Sequence, residues 1–229
     1  VTPLVSVIVP VLDEASTVSS LLDHLASLPG RFETLIADGG SADRTVELSE
    51  EHALDHRLVA APRGRAGQMN AGAQGAAGEL LLFLHADTRL PSDFYSALVS
   101  ACADPLVIGG NFTLRYDGGD RFAAVLATWR GLERRLGIYY GDSAIFLRRD
   151  AFGALNGYRP LAIMEDYDLA RRMERAGRTV CLPGPVVTSS RRWRSLGLRR
   201  TIAAWVVIRG LFLLGVPPER LARLYRPVR

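Results

Sequence analysis

The sequence predicts an α/β fold on a parallel, doubly wound sheet, and three observations carry that prediction. Apolar, β-branched runs alternate with segments of helical spacing and short glycine-bearing loops through the first hundred residues. One run, Leu80 to Leu84, is five large apolar residues long, as a strand buried on both faces should be, and His85-Ala86-Asp87 follows at once. Acidic residues recur at expected strand ends, at Glu14, Asp38, Asp87 and Glu165-Asp166. In open parallel sheets the carboxyl edge is where ligands bind.

The elements follow in order. Residues 4–11 are apolar and β-branched, a buried strand, with Asp13 and Glu14 after it. Val18, Leu21, Leu22, Leu25 and Leu28 have helical spacing, ended by Pro29-Gly30. Residues 32–37 are the second strand and run into Asp38-Gly39-Gly40-Ser41-Ala42-Asp43, where two glycines make a tight turn with exposed amides. Ser41 or Asp43 is placed to cap the next helix, and capping accounts for Asp13 and Asp43 better than for Asp38 and Asp87. Residues 57–61 are a third strand, and the Gly-rich basic stretch 62–72 leads into a short helix. The 80–84 strand is the fourth.

After Pro91 a helix reaches about residue 103, and the pattern changes. Residues 111–116 alternate, as an antiparallel strand does. Residues 120–136 are helical, with Phe122, Val125, Leu126, Trp129 and Leu132 on one side and expected in the core. Tyr139-Tyr140-Gly141-Asp142 precedes a strand at 143–147, a helix spans 165–176, and residues 179–182 are the last strand. From about 196 the chain is helical and amphipathic, broken at Gly215-Val216-Pro217-Pro218. The expected organisation is one domain over 1–195, with a nucleotide-binding half (1–103) and an acceptor half (104–195), and a helical extension over 196–229.

Composition bounds the function. The chain has 229 residues, is 48% hydrophobic and carries a net charge of +4, enough for one sizeable core. It contains no lysine, so every side-chain cation apart from histidine is arginine. That excludes a P-loop lysine and Schiff-base chemistry. The arginines are spread out except near 191–200, so no nucleic-acid partner is expected. Cys102 and Cys181 lack metal-ligand spacing and read as small core residues in a reducing compartment. No signal peptide and no membrane-length apolar run is apparent, so the expected location is cytoplasmic, with a peripheral membrane contact open.

Four segments together resemble family 2 glycosyltransferases. VSVIVPVLDE is similar to their opening strand, and LIADGGSADRT to their Asp-Asp-Gly-Ser segment. RAGQMNAGAQGAAGELLLFLHADTRL is similar to their Asn-x-Gly helix and DxD strand, and MEDYDLARRMERAG to their Glu-Asp-x-x-Leu segment. The order and spacing match over about residues 4–190. A small subgroup associated with arsenosugar biosynthesis is similar too.

The resemblance implies a GT-A fold (a Rossmann-like mixed sheet flanked by helices), a UDP- or GDP-sugar donor, Mn2+ or Mg2+, and inversion at the anomeric carbon. It implies that Pro10, Leu12 and Glu14 line the nucleoside pocket, with Asp38 and the adjoining Gly39 on the base. Arg65 and Gln68 contact the nucleotide. Asp87, with Ala86 beside it, takes the place of the last DxD aspartate, the metal ligand. Asp166 takes the place of the general base, with Glu165 adjoining. The acceptor is expected to be a small molecule or lipid-linked.

The chemistry agrees with these roles. The departing diphosphate gains charge that a metal on a hard oxygen ligand stabilises. The acceptor hydroxyl needs a carboxylate to take its proton. Two departures stand out. His85 replaces the first DxD aspartate, and both a metal-ligand and a nucleotide-contact role stay open for it. Ser189 replaces the Gln of the Gln-x-x-Arg-Trp motif of processive members, and with no transmembrane run to thread a polymer, processive synthesis is not expected. Arg192 still suits a diphosphate, and Trp193 suits either an acceptor ring or packing. Gly141-Asp142 reads equally as an acceptor wall or a plain turn. The C-terminal helix, with Trp205, Val206, Phe212 and Leu213 beside Arg199, Arg200 and Arg209, suits packing, a dimer seam or a membrane interface.

Rival readings are weaker. A sugar-phosphate nucleotidyltransferase needs a Gly-rich loop with Arg and Lys after strand one, and Leu12-Asp13-Glu14 stands there. A non-catalytic nucleotide-sugar-binding module has no use for the Glu165-Asp166 pair. A dinucleotide-binding domain would need the missing GxGxxG.

Overall fold

The computed structural model describes residues 4–117, 121–190 and 197–224. Eight strands form one mixed sheet in the order β3-β2-β1-β4-β7-β6-β8-β5. The strands are β1 (Val5–Val11), β2 (Phe32–Asp38), β3 (Arg57–Ala60), β4 (Leu80–Phe83), β5 (Thr88–Arg89), β6 (Val107–Tyr116), β7 (Phe146–Arg148) and β8 (Arg178–Thr188). The helices are α1 (Val18–Ala26), α2 (Thr45–Glu50), α3 (Arg65–Gly75), α4 (Phe94–Ala101), α5 (Arg121–Arg135), α6 (Arg149–Ala154), α7 (Glu165–Ala176), α8 (Leu198–Leu213) and α9 (Pro218–Leu224).

Strands β1 to β4 run parallel, with Val11 opposite Asp38 and Ile8 opposite Phe83. Their carboxyl ends therefore open on one edge, which is what brings Glu14, Asp38 and His85-Asp87 to the same side. The continuous apolar run of β4 has a direct cause. Leu80, Leu82 and Leu84 pack with Val7, Val9, Leu21 and Leu25 on one face. Leu81 and Phe83 pack with Ile8, Met69, Leu169 and Met173 on the other. Both faces are covered by helices, so no polar alternation survives.

Several expectations change. The strand at 111–116 is the end of the ten-residue β6, which pairs antiparallel with β7 but parallel with β8. The strand at 179–182 extends to Thr188, and β5 is an added two-residue edge. The stretch expected as a strand at 143–147 shortens to Phe146–Arg148, because Gly141–Ser143 forms a single 3-10 turn closed by Ala144 N–H to Gly141 O. Asp43 accepts the Thr45 N–H at 3.0 Å at the start of α2, as expected of a cap, whereas Asp13 caps no helix. Asp13 accepts from Ala42 N–H at 2.8 Å and Asp43 from Ala15 N–H at 3.1 Å, so the two carboxylates stitch the β1 and β2 loops together. Cys102 is buried, whereas Cys181 lies exposed on β8 and is no core residue.

The largest correction is α5. Phe122, Val125 and Leu132 are 61%, 68% and 53% exposed rather than in the core. The buried side of α5 is taken by Ala123 and Leu126, which pack with Tyr116 of β6, and by Glu133, which bonds Arg209 of α8. The extension folds back on the domain: Ile208 and Leu221 join Ile163, Met164 and Tyr167 in a small cluster of their own. Of the roles open for the C-terminal helix, packing is present, against α5 and the start of α7.

Candidate active site

A cavity of about 390 Å³ opens at the carboxyl edge of the parallel strands. Pro10, Val11, Leu12 and Glu14 come from the end of β1, and Gly64, Arg65 and Gln68 from the start of α3. His85, Ala86 and Asp87 follow β4, and Asp142 lies in the 3-10 turn. Ile163, Met164 and Asp166 open α7, where Met164 takes a left-handed φ of 68°. Non-glycine residues seldom adopt that conformation, and it marks the loop that presents Asp166 as tightly constrained. Arg130 on α5 and Trp205 and Ile208 on α8 close the far wall with Tyr116 and Tyr140.

Asp166 is fixed from two sides. Its Oδ2 accepts the Gly141 N–H at 2.8 Å, and its Oδ1 accepts the Tyr167 N–H at 2.7 Å at the start of α7. A helix N-terminus favours a carboxylate there. Glu165, adjoining it, does not line the cavity. It is buried against the Arg65 guanidinium at 2.8 Å. Burial pushes the Glu165 carboxyl up, and Arg65 opposes that. Glu165 thus positions Arg65 at the cavity wall, a different job from that of Asp166.

His85 packs against Gly141. A Cβ at Gly141 would lie 2.7 Å from His85 Nε2 and 3.3 Å from Asp166 Oδ2. Burial and then the Arg65 charge lower the His85 pKa, against Asp87, Asp166 and Asp142. The imidazole is therefore neutral near pH 7, with a nitrogen lone pair free to accept or to ligate. Asp142 is raised by burial, opposed by Arg130 and His85, while Asp166 and Asp87 push it further up. The Gly141-Asp142 turn is thus part of the site, placed between His85, Asp166 and Arg130.

Other expected residues play supporting parts. Gln68 donates from Nε2 to Val11 O at 2.6 Å and Ala37 O at 3.0 Å, pinning β1 to β2 while lining the cavity. The Asp38 carboxylate accepts from Gly40 N–H, Ser41 N–H and Ser41 Oγ–H at 3.0, 3.1 and 2.5 Å. Gly39 N–H bonds Val11 O, and a Cβ there would meet the Gln68 side chain at 2.9 Å. Asp38 and Gly39 therefore shape the turn beside the cavity without lining it. Arg192 and Trp193 lie outside the described residues.

Arg130 is the site residue that sequence reasoning missed. Its guanidinium lies over the Tyr140 ring at 4.5 Å and the Trp205 ring at 4.7 Å, and it bonds Glu133 at 2.9 Å. Burial disfavours its charge, but Asp142 and Tyr116 more than offset that, and it stays a cation. No spacing signal marks it. It is one arginine among several on a helix, and only the tertiary fold brings it to Asp142.

Among the described residues, no group of three or more His, Cys, Asp or Glu is arranged to hold a metal ion unaided. At the end of β4 the cavity offers the Asp87 carboxylate and the neutral imidazole of His85, separated by a single residue, with Glu14, Asp142 and Asp166 elsewhere on its lining. The His85–Asp87 pair fits a divalent cation whose remaining ligands come from substrate phosphates and water, as Mg2+ sites commonly do.

A mixed sheet with helices on both faces, holding such a cavity at the parallel edge, defines the GT-A class. Solved structures agree. A mannosyltransferase from Pyrobaculum calidifontis, in complex with GDP-Man and Mn2+, superposes with a TM-score of 0.62 at 25% identity, over 83% of this chain and 57% of that one. GalNAc-T7 with UDP, GalNAc and Mn2+ gives 0.66 at 19% identity, over 82% and 44%, a likeness of fold alone. Among curated proteins, the PGL/p-HBAD biosynthesis glycosyltransferase of Mycobacterium bovis is 31% identical over 177 residues, 72% of this chain and 68% of that protein. Glycosyltransferase AglE of Haloferax volcanii is 26% identical over 162 residues, 65% and 53%. Residues 6–156 match the glycosyl transferase family 2 domain, and the chain belongs to that family of transferase enzymes. It spans about two thirds of the mycobacterial relative and roughly half of several others.

Proposed function

We propose that this chain transfers a sugar, with inversion, from a nucleoside-diphosphate sugar to an acceptor hydroxyl, with a divalent metal at the diphosphate. The observation that carries the reading is the placement of Asp166 in one cavity with His85 and Asp87, held by the Gly141 N–H. That the Pyrobaculum mannosyltransferase was solved with GDP-Man and Mn2+, and GalNAc-T7 with UDP and Mn2+, supports the donor class and the metal.

The nucleoside end is assigned to Pro10, Leu12 and Glu14, backed by the Asp38-Gly39 turn and Gln68. Arg65 faces the phosphates, its guanidinium held in place by Glu165. Asp87, with His85, would hold the metal, which neutralises charge gained by the leaving diphosphate. The acceptor oxygen attacks the anomeric carbon and gives its proton to Asp166 as the bond to the diphosphate oxygen breaks. The products are the glycoside and the nucleoside diphosphate. Gly141, Asp142 and Arg130 form the acceptor side. A base on the acceptor and a cation on the leaving group must act from different walls, and Asp166 and Asp87 come from α7 and the end of β4.

The test is a calorimetric screen of UDP, GDP, dTDP and CDP with Mn2+, with Mg2+ and with chelator. At least one should bind, and more tightly with metal. Binding of none of the four overturns the donor assignment.

Gly141 offers a second check. The Gly141→Ala methyl would force His85 and the Asp166 carboxylate apart, and misplacement of about 1 Å costs roughly a hundredfold in rate. Turnover should drop by that order, with the thermal midpoint little changed. Wild-type turnover in Gly141→Ala would show that the His85–Asp166 spacing is not critical.

A further inference from the structure

Helix α8 is apolar on its outer side as well as its inner one. Between Thr201 and Leu213 its only charged residue is Arg209, and that side chain points inward to the Glu133 carboxylate. Its outward residues, Val206, Val207 and Leu213, are 44%, 53% and 64% exposed, and Leu214 after it is 82% exposed. A surface helix ordinarily turns its charge to water and its apolar stripe to the core. Alongside, α5 and the residue after it leave Phe122, Val125, Leu132 and Leu136 exposed, and with Trp129 these follow the 3-4-3-4 spacing of one helix face. The two helices are joined through Arg209–Glu133 and by Arg130 under the Trp205 ring, so the outward apolar residues belong to one paired unit.

Charge identifies the partner. Residues 191–229 hold ten arginines (191, 192, 194, 199, 200, 209, 220, 223, 226 and 229) against one acid, Glu219. Residues 1–190 hold 18 arginines against 23 acidic residues. Arg135, Arg200, Arg220 and Arg223 are exposed near the ends of α5, α8 and α9. Exposed apolar helix faces flanked by arginine suit the interface of an anionic bilayer, where apolar burial and attraction to lipid headgroups add. A second copy fits less well, because a two-fold contact would bring two arginine-rich segments into one interface with one acid each to offset them. No helix among the described residues is long and apolar enough to cross a membrane, so the contact is one that lies on the surface.

We infer that the outer faces of α5 and α8 dock the protein on an anionic membrane surface. The same two helices supply Arg130, Trp205 and Ile208 to the cavity, so docking brings its acceptor wall to the lipid. That last step, which makes the acceptor lipid-linked, rests on the proposed function; the docking itself does not.

The experiment is flotation of the full chain with vesicles of phosphatidylcholine alone and of phosphatidylcholine with phosphatidylglycerol, beside the Val207→Glu/Leu213→Glu double variant. Neither residue lines the cavity. Wild type should float with the anionic vesicles and not the neutral ones, and added salt should weaken binding. The double variant should bind at least roughly tenfold more weakly, since two carboxylates enter the apolar face. Its thermal midpoint and nucleotide binding should match wild type, which separates a failure of docking from a failure of the donor site. No flotation of wild type, or equal flotation of the double variant, overturns the inference. A wild-type dimer that the double variant dissociates, without vesicle binding, assigns the face to a second copy and overturns it too.

Discussion

Asp166→Asn should leave nucleoside-diphosphate affinity unchanged and lower turnover on the order of a thousandfold, within the range general-base catalysis supplies. Structure separates the two effects. The amide keeps one oxygen to accept the Gly141 N–H, which holds the turn, and gives up the bond from the Tyr167 N–H at the start of α7. It also loses the capacity to take a proton. Titration calorimetry of the nucleotide and a steady-state transfer assay read the two quantities independently. Asp142 is the control, because it is the other carboxylate on the acceptor wall, and its burial already disfavours the ionised form. Full turnover by Asp166→Asn, with loss in Asp142→Asn, would move the base to Asp142.

Much of this site was legible in the sequence because parallel strands obey strict geometry. Once β1, β2 and β4 are recognised by their unbroken apolar runs, the residues after them must share an edge, and Glu14, His85 and Asp87 do so. Asp38 shows the limit of that rule. It lies on the correct edge, yet its carboxylate is taken up by the turn 38–41, a local competition that position alone cannot reveal. Glu165 and Asp166 show another limit. Adjacent residues on a helix point about 100° apart, and here one carboxylate faces Arg65 while the other faces the cavity. The half from residue 104 onward was read less well. Its wall comes from α5 and α8, which contribute single residues from distant positions, and their partnership rests on the Arg209–Glu133 and Arg130–Trp205 contacts. The helical spacing of Phe122, Val125 and Leu132 was read correctly as a stripe, but assigned to the core. Periodicity shows that a face is apolar; it does not show what covers it.

Asp87→Asn is expected to remove the metal's effect on nucleotide binding and to lower turnover by roughly a hundredfold or more, the scale of charge stabilisation a metal provides to a leaving diphosphate. The prediction is strong because the donor set is sparse. With no cluster of three protein donors among the described residues, loss of the Asp87 carboxylate, two residues from His85, leaves too little charge at the end of β4 to hold a divalent cation. In wild type, nucleotide affinity should fall when chelator replaces Mn2+; in Asp87→Asn it should be low and equal in both. Equal affinity with and without metal in wild type would sink the metal assignment. His85→Ala then separates the two roles open to the imidazole. As a ligand, His85 favours the borderline ion Mn2+ over Mg2+, so its removal should lower the Mn2+-dependent gain and narrow the preference between the two metals. As a nucleotide contact, its removal should weaken binding equally in chelator. The packing of Nε2 toward Gly141 and Asp166 gives the histidine a consequence on either reading: it braces the turn that holds Asp166, so two sides of the cavity are tied through one ring.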